Sequence, residues 1–167
     1  ISTMLILLFV QCDSAERRKS KAEDAIEKHL FETLDNYQSY EKISTEVDTL
    51  QDLWLAHPEI ISFAGKLCYV EDNSEFYESL SDNLRAMISK LEPAKEPYWC
   101  VTQKFRISED GQGPKIHTAH YILDHDMNEI IFSWDENDIR TQRLINIVSG
   151  IIIGSNEIFD AITEDEE

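Results

Sequence analysis

The chain has 167 residues, enough for one domain with a substantial core, and its 42% hydrophobic content is ordinary for a globular protein and argues against wholesale disorder. Its charge is unusual, because 33 Asp and Glu residues stand against 15 Lys and Arg residues and give a formal net charge of −18. Such an acidic surface repels nucleic-acid phosphates and attracts basic proteins, so nucleic acid is not an expected partner.

The first twelve residues have the pattern of a secretory signal. Residues 4–10 are continuously apolar, end at Gln11-Cys12 and are followed at once by polar residues. This run is too short to span a bilayer as a helix, which takes about 20 residues, but it matches the apolar core of a signal peptide. A cysteine that closes such a run resembles the lipobox of bacterial lipoproteins, which implies cleavage of the leader (1–12) and acylation of Cys12. The alternative is a buried N-terminal segment of the fold.

Two further cysteines, Cys68 and Cys100, would lie in an oxidising envelope if Cys12 carries lipid. Thiols in such a compartment can pair, so a disulfide between Cys68 and Cys100 is one interpretation. The other is that both are small core residues, and the sequence leaves the two interpretations open. No cysteine pair has the C-x-x-C spacing of a redox or zinc site.

An amphipathic helix is predicted from Ser14 to about Tyr37. Its apolar residues recur at steps of three and four, which places them on one helical face with charged residues mostly opposite. The polar residues 13–21 are suited to act as a tether away from a membrane. Asp35-Asn36 ends the pattern with turn-forming residues. The apolar positions are Ala22, Ala25, Ile26, Leu30, Leu34 and Tyr37.

Three more helical segments are expected before the strands begin. Apolar residues from Val47 to Leu55 indicate a short one, and another starts at Pro58, where the N–H that proline lacks would have no partner. The third, with the best helical pattern, follows a capping sequence at residues 72–74 and ends before Pro93. The apolar faces of the last two are Ile60, Ile61, Phe63, Ala64, Leu67 and Cys68, and then Phe76, Tyr77, Leu80, Leu84, Met87, Ile88 and Leu91.

The period of the apolar residues changes from helical to alternating after Pro97, which predicts a three-stranded antiparallel meander. We expect this sheet to pack on the preceding helices through a face that carries Trp99, Phe105, Phe132 and Trp134. The three strands are Tyr98–Ile107, Lys115–Leu123 and the alternating residues Ile130, Phe132 and Trp134, with a glycine-containing loop after the first and the turn Asp124–Asn128 after the second.

A last helix is predicted after the meander. Asn137 or Asp138 would cap its start, and Gly150 would stop it. The predicted fold is therefore a single α+β domain at residues 22–160, in which N-terminal helices pack on a three-stranded antiparallel β-meander and a C-terminal helix follows. An acidic tail (161–167) ends the chain.

This layout resembles the small uncharacterised lipoproteins common in Bacteroidetes. The resemblance rests on the leader ending at Cys12, on the segment Leu34–Ile43, and on the Trp-led strand Tyr98–Arg106 with the hairpin Tyr121–Ile130. In such proteins the hairpin turn reads Asp-x-Asp/Asn-Gly-Asn, and this chain has Asn128-Glu129 where a glycine often stands. The resemblance implies this architecture and a membrane-anchored place in the bacterial cell envelope, periplasmic or surface-facing, with the bilayer as partner of acylated Cys12. It implies no activity.

Histidines gather near the second predicted strand, at His117, His120 and His125. Residues three apart on a strand point to opposite faces, so His117 and His120 would not converge on one metal ion without a bulge. We therefore expect no zinc site here.

An acidic turn is the second pattern that suggests a metal. Asp124-x-Asp126-x-Asn128 resembles the opening of a calcium-binding loop, which makes these three residues weak calcium candidates. Such a loop wants glycine at its sixth position and usually glutamate at its twelfth, where this chain has Glu129 and Asp135. A hairpin turn that happens to be acidic explains the same residues.

One basic spot stands out in the acidic chain, on the solvent-exposed face of the first strand, where Tyr98, Lys104 and Arg106 lie beside Gln103. These residues could bind an anionic ligand. The alternative is a solvated sheet face that balances neighbouring carboxylates. The sequence has no nucleophile-elbow, P-loop or dinucleotide-binding motif, so neither a catalytic residue nor a cofactor is predicted.

The expected function is therefore that of an envelope-anchored lipoprotein acting as a non-enzymatic binding or scaffolding module. One alternative is an acidic inhibitor or immunity-type protein that masks a protein partner with a basic surface, which the net charge of −18 would serve through fast electrostatic association. Another is an enzyme with a site built from scattered residues, which a deep pocket holding a perturbed carboxylate or histidine would favour.

Overall fold

A computed structural model describes the backbone of residues 2–69, 74–108 and 113–164 and the side chains of residues 14–69, 74–108 and 113–152. Within these residues, no helix is both long enough and apolar enough to cross a lipid bilayer. The chain divides into two compact units. The residues predicted to form one domain (22–160) belong partly to one unit and partly to the other. Unit 1 is Ile1–Gln51 with Ala94–Glu136, and unit 2 is Asp52–Pro93 with Asn137–Glu167.

Unit 1 consists of a long helix and a four-stranded antiparallel sheet. Its strands lie in the order β1-β2-β3-β4, and each strand runs antiparallel to its neighbours. The α+β class is confirmed, and the predicted count of three strands is corrected to four. The elements are α1 (Ser2–Thr33), a 3-10 turn (Tyr37–Ser39), β1 (Glu41–Thr49), β2 (Trp99–Ser108), β3 (Pro114–Leu123) and β4 (Ile130–Asp135).

The strand that was not predicted, β1, lies at the edge of the sheet. An edge strand pairs on one side only and is commonly polar, and in β1 the alternating residues Ile43, Thr45, Val47 and Thr49 are β-branched but only partly apolar. Thr45 is its one buried residue. Val47, which the helical pattern assigned to a helix reaching Leu55, pairs instead with Val101 in the sheet. That helix is therefore wrong, and only a 3-10 turn at Leu53–Ala56 is present.

The core of unit 1 lies between α1 and one face of the sheet. Ala22, Ile26 and Leu30, spaced four residues apart, are 0%, 0% and 4% exposed, which confirms this part of the predicted apolar face. The helix ends at Thr33, so Leu34 and Tyr37, which were predicted to lie on the same helical face, lie beyond it. Lys42 joins β1 to α1, because its Nζ lies 2.9 Å from Glu23 Oε2 and 3.3 Å from Glu27 Oε1. The buried sheet residues of this core are Val101, Phe105, Ile107, Ala119, Tyr121 and Leu123.

The predicted placement of Phe132 and Trp134 on the same face as Trp99 is wrong. Phe132 pairs with Ile122, which in turn pairs with Cys100. Residues paired across antiparallel strands share a face, and neighbours along a strand point to opposite faces. Cys100 follows Trp99 directly, so Phe132 lies on the side opposite Trp99. The β3–β4 register shifts by one residue beside Ile122. Alternation within β4 shows which of its residues share a face, but it does not show which face points to the core.

Unit 2 is helical, and two of its predicted start signals are confirmed. Pro58 stands at the first position of α2. The hydroxyl of Ser74 accepts a hydrogen bond of 3.0 Å from the Tyr77 N–H and so caps α3. The elements are the 3-10 turn Leu53–Ala56, α2 (Pro58–Ala64), a 3-10 helix (Gly65–Tyr69), α3 (Glu75–Ile88) and α4 (Ile139–Glu164).

The last helix, α4, starts as predicted and ends later. The Asp138 carboxylate accepts hydrogen bonds from the N–H groups of Arg140 and Thr141 at 3.1 and 3.4 Å. Gly150 does not stop the helix, because a glycine inside a helix costs only about 1 kcal/mol and packing on either side of it can outweigh that. The backbone stays helical to Glu164, which takes in the start of the predicted acidic tail (161–167); the side chains of that tail lie outside the described residues.

Candidate ligand-binding pocket

A pocket of about 580 Å³ lies in unit 2 between the 3-10 helix Gly65–Tyr69 and the first two turns of α4. Small-molecule sites in proteins usually enclose about 300–1,000 Å³, so this pocket has the size of a ligand site. None of its lining residues was predicted as part of a site except Cys68. It combines concavity, apolar surface and positive charge.

The local sequence explains why the wall of the pocket has this form. Gly65 ends α2 with ordinary right-handed helical angles, and the chain then tightens into the 3-10 helix. A Cβ at Gly65 would lie 3.8 Å from Leu144 Cδ1, so the backbone comes close to α4 at this point. Leu67, in the middle of the 3-10 helix, is 0% exposed and anchors it in the core of unit 2.

Two large apolar side chains at the pocket are left in water. Tyr69 and Ile139 are 81% and 82% exposed, whereas Leu144, which also lines the pocket, is buried. Covering apolar surface is worth about 25 cal/mol per Å², so a ligand that covers these two side chains gains affinity from their burial.

Three cationic side chains, Lys66, Arg140 and Arg143, also line the pocket. Within the described part of the chain, no carboxylate oxygen lies within 4.0 Å of any of the three. Hydrogen bonds from the Thr141 hydroxyl and from N–H groups at the start of α4 lower the pKa of the Asp138 carboxylate, and the positive charge of Arg140 lowers it further. The pocket therefore concentrates positive charge in a chain whose net charge is −18.

The placement of Arg140 is electrostatically unfavourable for the helix that carries it. The N-terminal end of a helix bears partial positive charge and favours acidic residues, and α4 has none in its first turn. Arg140 stands in that turn and Arg143 directly after it, on the same helical face. This departure from local preference is a signal in the sequence that points to the pocket, since local rules are most often broken at functional sites.

The Cys68 thiol forms part of the pocket wall. Burial raises its pKa above the ordinary value of 9.0, with the positive charge of Arg143 acting in the opposite direction. A thiol with a raised pKa is protonated at neutral pH and is a poor nucleophile. Cys68 is a free thiol in the structure and belongs to unit 2, whereas Cys100 belongs to unit 1, so their disulfide stays a prediction.

The predicted anion-binding residues of β2 are not all brought together. Lys104 and Arg106 share a face of the strand, but Tyr98 lies at least six residues away, roughly 20 Å at strand spacing. Arg106 Nη1 lies 2.9 Å from Glu41 Oε2 on β1, and the ring of Tyr98 packs against His125 at 4.1 Å between centroids. The pairing of Arg106 with a carboxylate agrees with the alternative of a charge-balanced sheet face.

Gln103, which the pattern placed beside those exposed residues, is instead 0% exposed on the core face of β2. Its Oε1 accepts a hydrogen bond of 3.2 Å from the Tyr40 hydroxyl. Alternation alone does not predict that Gln103 is buried, because glutamine is usually exposed in folded proteins, whereas the other residues on this face of β2 are apolar.

His117 and His120 point to opposite faces of β3, as expected for a strand. His117 Nδ1 lies 2.8 Å from Asp135 Oδ2 on the core side. On the other side, His120 lies 3.1 Å from both the Thr102 hydroxyl and the Glu136 carboxylate. Across the residues that the structure describes, no group of three or more His, Cys, Asp and Glu side chains could hold a metal ion.

The acidic turn after β3 uses its first carboxylate internally. Asp124 Oδ1 accepts hydrogen bonds from the N–H groups of Asn128 and Glu129 at 2.6 and 3.0 Å. Met127, inside the turn, has a φ of 54° and is buried. Asp126 and Asn128 are exposed, so the three calcium candidates form a hairpin turn held by Asp124.

The predicted lipidation site, Cys12, falls on a side chain outside the described residues, although its backbone belongs to α1. Comparison of the chain with protein-family models, with curated proteins and with solved structures found no match.

Proposed function

We propose that this chain is a lipoprotein of the bacterial cell envelope, anchored by an acylated Cys12, whose folded part is a non-enzymatic binding module with the unit 2 pocket as its binding site. The observation that carries the binding role is the pocket itself, which joins an apolar wall to a rim of Lys66, Arg140 and Arg143. A concave, largely apolar pocket with a few polar groups is the usual form of a small-molecule site.

The chemistry of the pocket supports binding over catalysis. Its described lining residues include no Asp, Glu or His that could act as a general base, and the raised pKa of Cys68 keeps the thiol protonated. Three cationic side chains with no described carboxylate oxygen within 4.0 Å suit recognition of negative charge, which requires no transfer of a proton.

Support for anchoring comes from the leader pattern and from the start of α1. Residues 15–21 are all exposed, and Ala22 is the first buried residue of the described part of the helix, although the Arg18 guanidinium already lies 5.4 Å from the centre of the Trp99 ring on β2. An exposed polar segment between Cys12 and the core provides the distance that a folded module needs from a bilayer surface. The exposure of residues 15–21 supports the proposal that residues 13–21 act as a tether.

The anchoring is tested by membrane fractionation and intact mass of the full-length protein, with Cys12→Ala as the comparison. We expect the wild type in the membrane fraction, with a mass increase of a diacylglyceryl group that the variant lacks. A wild type that stays in the aqueous fraction without added mass would overturn the anchoring.

The binding role is tested separately with a neutral fluorescent probe, N-phenyl-1-naphthylamine. Ser62 is exposed on the pocket wall, so Ser62→Trp fills the pocket without disturbing the core, and Ser79→Trp, on the exposed side of α3, is the matched control. We expect saturable binding that Ser62→Trp abolishes and Ser79→Trp retains. Equal binding by both variants would exclude the pocket as a binding site.

An acidic inhibitor is the second candidate, and β1 is the observation that favours it. This edge strand exposes Glu41, Glu46 and Asp48, and an exposed edge can pair with a partner strand. Association with a basic protein would then be fast and would slow steeply with salt. Charge reversal by Glu46→Lys with Asp48→Lys should reduce the association rate at low salt; an unchanged rate would remove this candidate.

A further inference from the structure

We infer that the unit 2 pocket binds a single-chain amphiphile with an anionic head group, such as a fatty acid, with the head held by Arg140, Arg143 and Lys66 and the alkyl chain against the apolar wall. This inference rests on the proposed binding role of the pocket and names its ligand class.

The head group is assigned by the three cations. Arginine guanidinium groups bind carboxylates and phosphates through paired hydrogen bonds, and Arg140 and Arg143 project from one face of α4, three residues apart. No described carboxylate forms an ion pair with either of them, so their hydrogen-bond donors are available to a ligand. In a chain of net charge −18, an anion is otherwise repelled, so binding here depends on this local cluster.

The alkyl chain is assigned by the apolar part of the wall. Tyr69 and Ile139 are among the most exposed large hydrophobic residues described, and both lie beside the cations. Leu144, one turn further along α4 than Arg140, adds a buried apolar surface at the same place. Inorganic anions would leave Tyr69 and Ile139 in water, whereas an amphiphile covers them. A volume of about 580 Å³ suits a small ligand with one chain.

The test is calorimetric titration of the full-length Cys12→Ala chain, purified without detergent because detergent would compete for the pocket. The probes are decanoate, decyl phosphate and the neutral 1-decanol, each below its aggregation concentration. We expect one site per chain and at least about tenfold tighter binding of decanoate or decyl phosphate than of 1-decanol, which corresponds to about 1.4 kcal/mol. The ranking of the two anions identifies the preferred head group.

The variants Arg140→Gln and Arg143→Gln should each weaken binding of the anionic probe about tenfold and leave 1-decanol unchanged. Arg143→Lys should retain part of the affinity, because it keeps the charge and loses the paired geometry. Arg85→Gln is the matched control, since Arg85 lies exposed on α3 of the same unit and is paired with Asp82 at 2.7 Å. Thermal unfolding of each variant establishes that it is folded.

Equal affinity for decanoate and 1-decanol, or an affinity for decanoate that neither Arg140→Gln nor Arg143→Gln alters, would overturn the inference. Either result is compatible with a pocket that binds the neutral probe N-phenyl-1-naphthylamine, so the ligand class can fail while the proposed function stands. Loss of all probe binding, neutral and anionic alike, would overturn both.

Discussion

Replacing Gln103 with Met is expected to stabilise the protein. The side chain of Gln103 is 0% exposed on the core face of β2, and its Oε1 accepts a hydrogen bond from the Tyr40 hydroxyl at 3.2 Å. Among the residues that the structure describes, none offers a hydrogen-bond acceptor to its Nε2. The amide nitrogen has therefore lost its water without gaining a partner.

The magnitude follows from two opposing effects. An unpaired buried polar group costs about 1–3 kcal/mol, and Gln103→Met removes it. The same change removes the hydrogen bond from Tyr40, which is worth about 0.5–1.5 kcal/mol. Met has nearly the volume of Gln, so packing changes little. The net expectation is a gain of about 1 kcal/mol in the free energy of unfolding and a rise in Tm of about 2–4 °C for a chain of this length.

Urea and thermal unfolding, followed by circular dichroism, measure this gain, with the exposed Gln38→Met as control. A double-mutant cycle with Tyr40→Phe separates the two effects. Tyr40→Phe should cost about 1 kcal/mol in the wild type and close to nothing beside Gln103→Met. A Gln103→Met protein that is less stable by more than about 1 kcal/mol would refute the reasoning, because it would mean that Nε2 has a partner such as a buried water.

Three further predictions concern single side chains. Burial pushes the pKa of Glu23 upward, but hydrogen bonds and charge from Lys42 outweigh it and hold that pKa below 4.5. A carboxyl group whose pKa is lower in the folded than in the unfolded state stabilises the fold at pH values above the unfolded pKa, and this stability is lost as the pH falls through the folded pKa. Glu23→Gln should therefore destabilise the protein at neutral pH and have little effect well below pH 4.5, which urea titrations at both pH values measure. Gly65→Ala should stabilise by about 0.4–1 kcal/mol in thermal unfolding, because the backbone is right-handed and the new Cβ would meet Leu144 at an ordinary 3.8 Å; destabilisation would contradict this packing. Asp124→Ala should cost about 1–2 kcal/mol and Asp124→Asn less, because Asn keeps an acceptor for the two N–H groups of the turn; equal losses in urea unfolding would argue against that role.

Much of the local structure could be predicted, because its causes lie within a few residues. The period of Ala22, Ile26 and Leu30 placed one helical face in the core, since side chains four apart project in the same direction. The start of α3 at Ser74 and of α4 at Asp138 follows from oxygens that reach N–H groups two or three residues along the chain.

The errors concern features that depend on distant partners. The strand signal of β1 is short and only weakly apolar, because Ile43, Thr45, Val47 and Thr49 alternate with polar residues. Its pairing with β2 joins residues such as Val47 and Val101 across an inserted unit, which no local pattern shows. The face on which Phe132 lies depends on its pairing with Ile122, because a shift of one residue in the pairing moves a side chain to the opposite face of the sheet. The conformational freedom of Gly150 predicts a helix stop, but α4 continues through it.

The sequence by itself determined the α+β class, the core face of α1, the strand periods and the helix caps, because each is set by residue spacing or by contacts within one turn. Only the tertiary structure decided the fourth strand, the burial of Gln103 and the pocket. Lys66 reaches the same pocket as Arg140 and Arg143 although more than 70 residues separate them in the chain. This charge cluster forms only when packing brings the two segments together, so the pattern of neither segment alone predicts it.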